Sequence, residues 1–189
     1  MTIFEYVTAA LLLILGLGVA ELLGDAVNAF RLRHSCRQHW IPLAWAAIIF
    51  SHQMQFLWAI FELNVLVEVW SAFRFIVALA LALLLFVAGA LVIPKPDPGP
   101  SWDPWQRFLE NGRWSLPVLS IYCLLAFLAN PMFFDVGYFE SANLPNLALS
   151  VLFLGVFFLR SVRSWMLATA ICAAISVAAI IRLSPSSYS

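Results

Sequence analysis

The sequence predicts an all-α integral membrane protein: one bundle of six transmembrane helices with short loops and one cytoplasmic interfacial helix. Three observations carry that expectation. Hydrophobic residues make up 63% of the chain and charged residues only 11%, whereas a soluble domain carries roughly 25% charge. The apolar residues gather in six blocks, each near the ~20 residues that a helix needs to cross a bilayer. The blocks also lack the alternation of barrel strands, which leaves the helix as the way to satisfy backbone donors in lipid.

Taken in order, spans are expected at about 3–30, 41–61, 71–93, 116–134, 144–159 and 165–181. The first opens with Glu5 and no Lys or Arg, so it reads as a retained span and not as an export signal. Polar residues at Ser51-His52-Gln53-Met54-Gln55 interrupt the second. The third contains ALALALLLFVAGALVI, the most lipid-like stretch of the chain. Between the third and fourth, Pro94, Pro96, Pro98 and Pro100 make a stiff spacer. Asp103 can then cap a short helix at about 104–111, with Pro104 at its first position and Gly112 ending it. Trp105, Phe108 and Leu109 share one face of that helix, which suits it to lie on the membrane surface. Six spans leave no room for a separate soluble domain, so residues 1–189 are expected to form one polytopic unit.

The charges set the expected orientation. Arg31, Arg33, Arg37, Lys95, Arg107, Arg113, Arg160 and Arg163 fall in the first, third and fifth connections, eight of the ten basic residues. The opposite side holds Glu5, Glu62, Glu68, Asp135 and Glu140, with Arg74 and Arg182 nearby. The positive-inside bias therefore places the odd-numbered connections in the cytoplasm. Both termini then face outward, in a setting read as a bacterial inner membrane. Trp40, Trp102, Trp105, Trp114 and Trp165 are expected as cytoplasmic-side anchors, and Trp58 and Trp70 as outer ones. The lipid bilayer is the expected partner, with a second membrane protein or a second copy as further candidates. The balanced charge points to no nucleic-acid partner.

Polar side chains inside a span are costly and are candidates for function. His52 lies about 18 Å in from Trp40, near the bilayer centre. Ser51 and Gln55 are four residues apart and share a face, while Gln53 points elsewhere. Glu21, Asp25 and Asn28 share a face near the end of the first span. If that helix continues to Arg31, Glu21 lies about 15 Å deep, and a Glu21–His52 contact that carries or senses a proton becomes geometrically open. Two readings stand beside each other at both places. Glu21, Asp25, His52, Gln53 and Gln55 form a ligand or proton site, or His52 and the amides glue helices together while Glu21 and Asp25 meet the arginine cluster. Ser51, Arg74 and Asn130 are secondary candidates, and capping or turn chemistry accounts for Asn130, Asn143 and Asn146 equally well.

Several chemistries lack their residues. Lys95 is the only lysine and His52 the only histidine within a span; His34 and His39 lie in the arginine-rich connection. Neither HExxH nor GxSxG occurs. Cys36, Cys123 and Cys172 have no CxxC spacing, and the last two read as small core hydrophobes. No metal, cofactor or catalytic residue is expected. Three function classes remain open. They are a small transporter or ligand-binding bundle, a non-catalytic partner subunit, and a membrane enzyme acting on a lipid or quinone with His52 as acid or base.

Overall fold

The computed structural model describes residues 3–31, 40–67, 70–95 and 103–183, and among these the chain is helical with no strand. The elements are α1 (Ile3–Arg31), α2 (Trp40–Leu66), α3 (Ala72–Val92), a short α4 (Pro104–Glu110), a 3-10 turn (Gly112–Trp114), α5 (Ser115–Phe134), α6 (Leu144–Phe157) and α7 (Val162–Leu183). Four stretches are long and apolar enough to cross a membrane: Phe4–Arg31, Trp40–Leu63, Ala72–Val92 and Trp105–Phe134. Leu144–Phe157 and Val162–Ala178 are apolar but shorter. At most 44% of the apolar window in any of the four is buried in the protein, so more than half of each window is exposed or half-buried. Leu13, Phe61, Ile76 and Ile121 are exposed there. Apolar surface on this scale calls for hydrocarbon around it, and these helices mark the chain as membrane-associated.

The helix ends follow local chemistry. α2 runs a turn beyond the end expected near residue 61, because Leu63 packs inward and the Trp58 indole donates to Glu62 Oε1, one turn on, at 3.2 Å. Ser71 Oγ caps α3 by accepting from the Arg74 backbone N–H at 3.2 Å. Asp103 Oδ1 caps α4 through the Trp105 N–H at 2.9 Å, with Pro104 in the first turn. α6 stops at Phe157, short of the expected 159, as the Phe158 and Leu159 N–H groups turn back to the Gly155 and Val156 carbonyls. α7 begins at Val162, earlier than expected, where Ser161 Oγ accepts the Ser164 N–H at 3.3 Å.

α3 lies at the centre of the packing, against α1, α2 and α5; α5 pairs with α6, and α2 with α7. α4 does not stand apart from this bundle. Phe108 is fully buried, stacked on Trp105 at 5.8 Å and edge-on to Trp165 of α7 at 5.4 Å. Trp165, expected as an interface anchor, is itself fully buried and donates its indole N–H to the Leu159 carbonyl at 3.0 Å. Trp40, Trp58 and Trp114 are exposed, as anchors should be; Trp102 lies outside the described residues. Gly112 does not end α4, which closes at Asn111. It opens the 3-10 turn, where an added Cβ would sit 2.5 Å from Phe108 Cδ2 and 2.9 Å from the Val92 carbonyl oxygen.

That crowding separates two glycines experimentally. Gly112→Val should lower the thermal unfolding midpoint in detergent, with overpacking costing about 1–3 kcal/mol. Gly16→Val, where no atom lies within 4 Å of an added Cβ, should leave the midpoint unchanged.

Candidate functional site

Successive residues on α2 step round its axis by about 100°, and the polar run at 51–55 fans out accordingly. His52 is buried and turns toward α5 and α6, its ring edge-on to Tyr122 at 5.9 Å and to Phe153 at 6.0 Å. Its Nε2 is buried without a hydrogen-bond partner. Gln53 is fully buried and faces the opposite way. Its amide occupies a notch where the Cβ atoms that Gly18 of α1 and Gly89 of α3 lack would come within 3.1 and 3.3 Å of Nε2. It donates to the Leu85 carbonyl at 3.5 Å, and Oε1 is unpartnered. The two glycines are what allow an amide between α1 and α3. The five-residue run therefore does not converge on one point.

Ser51 and Gln55 keep the shared face expected of them and line a cleft of about 550 Å³ between α2, α3 and α5. Trp58 and Glu62 continue the same stripe, at spacings of 51, 55, 58 and 62. Tyr122, Ala126, Ala129 and Asn130 of α5 form the facing wall, with Ala78 and Leu81 of α3 behind. The cleft reaches the α5–α6 connection at Val136 and Ala142 and touches Asn146 of α6. Gln55 borders the cleft, but its Nε2 is buried away from the open space and has no hydrogen-bond partner. Ser51 Oγ is occupied by the Ala47 carbonyl at 2.8 Å. Neither His52 nor Glu21 lines this space; the imidazole lies behind Tyr122, which belongs to both its surroundings and the cleft wall.

Glu21 meets Lys95 at the end of α3, Nζ to Oε1 at 3.2 Å. Among the described residues its ion-pair partner is Lys95 and not His52; Arg33 and Arg37 lie outside the described residues. Asp25, one turn on, keeps Oδ2 buried and without a hydrogen bond, and Asn28 is exposed. Arg74 sits one turn into α3 beside its Ser71 cap and is half-buried. Among the described residues no three His, Cys, Asp or Glu side chains converge on a point where a metal ion could sit.

Several other polar residues inside the bundle are partnered, whereas Thr8 Oγ1, Trp70 Nε1 and Ser176 Oγ are buried without a hydrogen bond. Ser120 of α5 and Ser150 of α6 each donate to the other's carbonyl, at 2.8 and 2.9 Å. The Trp45 indole donates to Thr169 Oγ1 at 3.1 Å, and Thr169 in turn donates to the Trp165 carbonyl at 2.7 Å. Pro131 lies inside α5 and has no N–H for the carbonyl four residues back. That carbonyl belongs to Phe127, and Asn143 Nδ2 supplies the missing donor from across the loop at 3.0 Å. Asn130 Nδ2 holds Asn143 Oδ1 at 2.9 Å. Asn143 is fully buried and does not cap α6 with its side chain; it repairs α5.

Asn143→Leu should therefore destabilise the protein by about 1 kcal/mol, typical of a buried hydrogen bond. Adding Pro131→Ala, which restores the backbone donor, should recover part of that loss. A double-mutant cycle on thermal unfolding in detergent reads the coupling, and strict additivity would show that the asparagine acts elsewhere. No family model matches the chain, and no curated protein or solved structure matches it either.

Proposed function

We propose that this chain is a membrane-embedded binding bundle of the small-transporter class, whose ligand site is the α2–α3–α5 cleft. The observation that carries this reading is a cleft of about 550 Å³ bordered by the polar side chains of Ser51, Gln55, Glu62, Asn130 and Asn146. That volume falls in the usual range for small-molecule sites, which are mostly apolar with a few polar groups. A subunit built only for helix packing would use its interior polar groups on one another, as Ser120 with Ser150 and Asn130 with Asn143 do. Ser51, Gln55, Glu62 and Asn146 border open space, and among the described residues Ser51 and Glu62 bond only within α2. The site is thus centred on Gln55, not on a His52–Glu21 pair. An enzymatic reading has less support, because the imidazole sits behind Tyr122, out of the cleft lining.

A partner-subunit or self-associating reading draws on α1. Gly16, Ala20 and Gly24 share its exposed face, and nothing lies within 4 Å of a Cβ added at either glycine. Close helix approach commonly uses such a surface.

In the proposed arrangement six helices cross a bacterial inner membrane, α4 lies at the cytoplasmic interface and both termini face outward. The basic residues of the odd-numbered connections support that orientation. At 14 residues α6 is about 21 Å long, so its crossing draws on the turns at either end. The cleft then opens toward the outer side.

Cysteine labelling tests the site. In a Cys36→Ser background, Ser51→Cys, Gln55→Cys and Asn146→Cys should react with a membrane-impermeant maleimide from outside. Native Cys123 and Cys172, both fully buried, should stay unreactive until the protein is denatured. Inert cysteines at 51 and 55 in the folded protein would remove the cleft as a site. For orientation, a C-terminal alkaline phosphatase fusion should be active; a fluorescent cytoplasmic reporter at that end would mean an odd number of crossings or the reverse orientation.

A further inference from the structure

We infer that the ligand is a lipophilic organic cation, a reading that rests on the cleft being a binding site and adds the class of molecule it takes. Charge and aromatic content both point that way. Glu62 is the only charged side chain among the described residues lining the cleft, and no Lys, Arg or His lies among them. Its carboxylate is held at the wall by the Trp58 indole, which donates to Oε1 at 3.2 Å. Phe50, Phe56, Trp58, Tyr122, Phe133 and Phe134 supply aromatic walls, and the faces of such rings attract cations within about 6 Å. An anion would meet Glu62 with nothing to offset it. A neutral apolar molecule would gain from the walls but not from the acid.

The spacing also sets the shape of the ligand. Gln55 and Glu62 are seven residues apart on α2, about 10 Å along the axis. Glu62 lies toward the α5–α6 end of the cleft and Gln55 deeper along α2, its Nε2 without a partner. A cation bound here places its charge at Glu62 and runs its apolar body inward. The low-dielectric surroundings strengthen the attraction between cation and carboxylate relative to water.

The test uses two ions of nearly the same shape and opposite charge, tetraphenylphosphonium and tetraphenylborate. Equilibrium dialysis against the full chain in a non-ionic detergent, corrected for detergent alone, gives both affinities. Tetraphenylphosphonium should bind saturably and tetraphenylborate much more weakly. Glu62→Gln, which keeps an acceptor for Trp58, should weaken the cation about tenfold and leave the borate unchanged. Glu62→Asp, which keeps the charge, should retain the cation preference. Ala126→Trp, which fills the cleft, should remove cation binding. Equal binding of both ions, no effect of Glu62→Gln, or equal loss in the Gln and Asp variants would overturn the cation assignment and leave a binding cleft standing. If neither ion binds, or if binding survives Ala126→Trp, the cation assignment fails as well, and the cleft is then judged by the cysteine labelling alone.

Discussion

Hydrocarbon offers no hydrogen bonds, so each polar group within a span must find its partner inside the protein. The α5–α6 pair shows how closely that constraint shapes the bundle. Pro131 removes one backbone donor, and a buried asparagine thirteen residues beyond Asn130 is brought back to replace it. Two serines clasp each other's carbonyls a few turns away. Against that background α2 is unusual. His52 Nε2, Gln53 Oε1 and Gln55 Nε2, three unpartnered buried atoms, fall within four consecutive residues. Their side chains point three ways, His52 beside an aromatic pair, Gln53 into a glycine notch and Gln55 along the wall of a cleft.

Much of the helical layout is legible in the sequence because lipid imposes simple rules. Apolar length locates α1, α2, α3 and α5, and the Asp103-Pro104 pair locates the start of α4. The ends are less legible where side-chain contacts decide them. Glu62 and Asn64 resemble loop residues, yet the Trp58–Glu62 bond carries the helix through them. Trp165 resembles an interfacial anchor because tryptophan commonly is one. Only the three-dimensional arrangement shows Phe108 and Trp105 folding over it.

The candidate site was half legible. The unusual polarity of residues 51–55 is visible in the sequence, and the 51, 55, 58, 62 stripe follows from helical periodicity. A Glu21–His52 contact is equally compatible with helix depth, but depth fixes only one coordinate. Azimuth decides the partner: His52 faces α5 and α6, and Glu21 is taken by Lys95, which follows α3 in the chain. Tyr122 gave no signal at all, since an aromatic in an apolar span is ordinary; its place between imidazole and cleft comes from the packing of α5 on α2 and α3.

The ties between α2, α4 and α7 have a consequence for biogenesis. The Trp45 indole finds its acceptor on Thr169, and Phe108 takes part of its cover from Trp165. A ribosome delivers both of those late residues long after the helices that need them. Until then an indole donor and an aromatic ring face at one end of the nascent bundle wait unfilled. Docking of the final helix therefore completes the core at that end of the bundle.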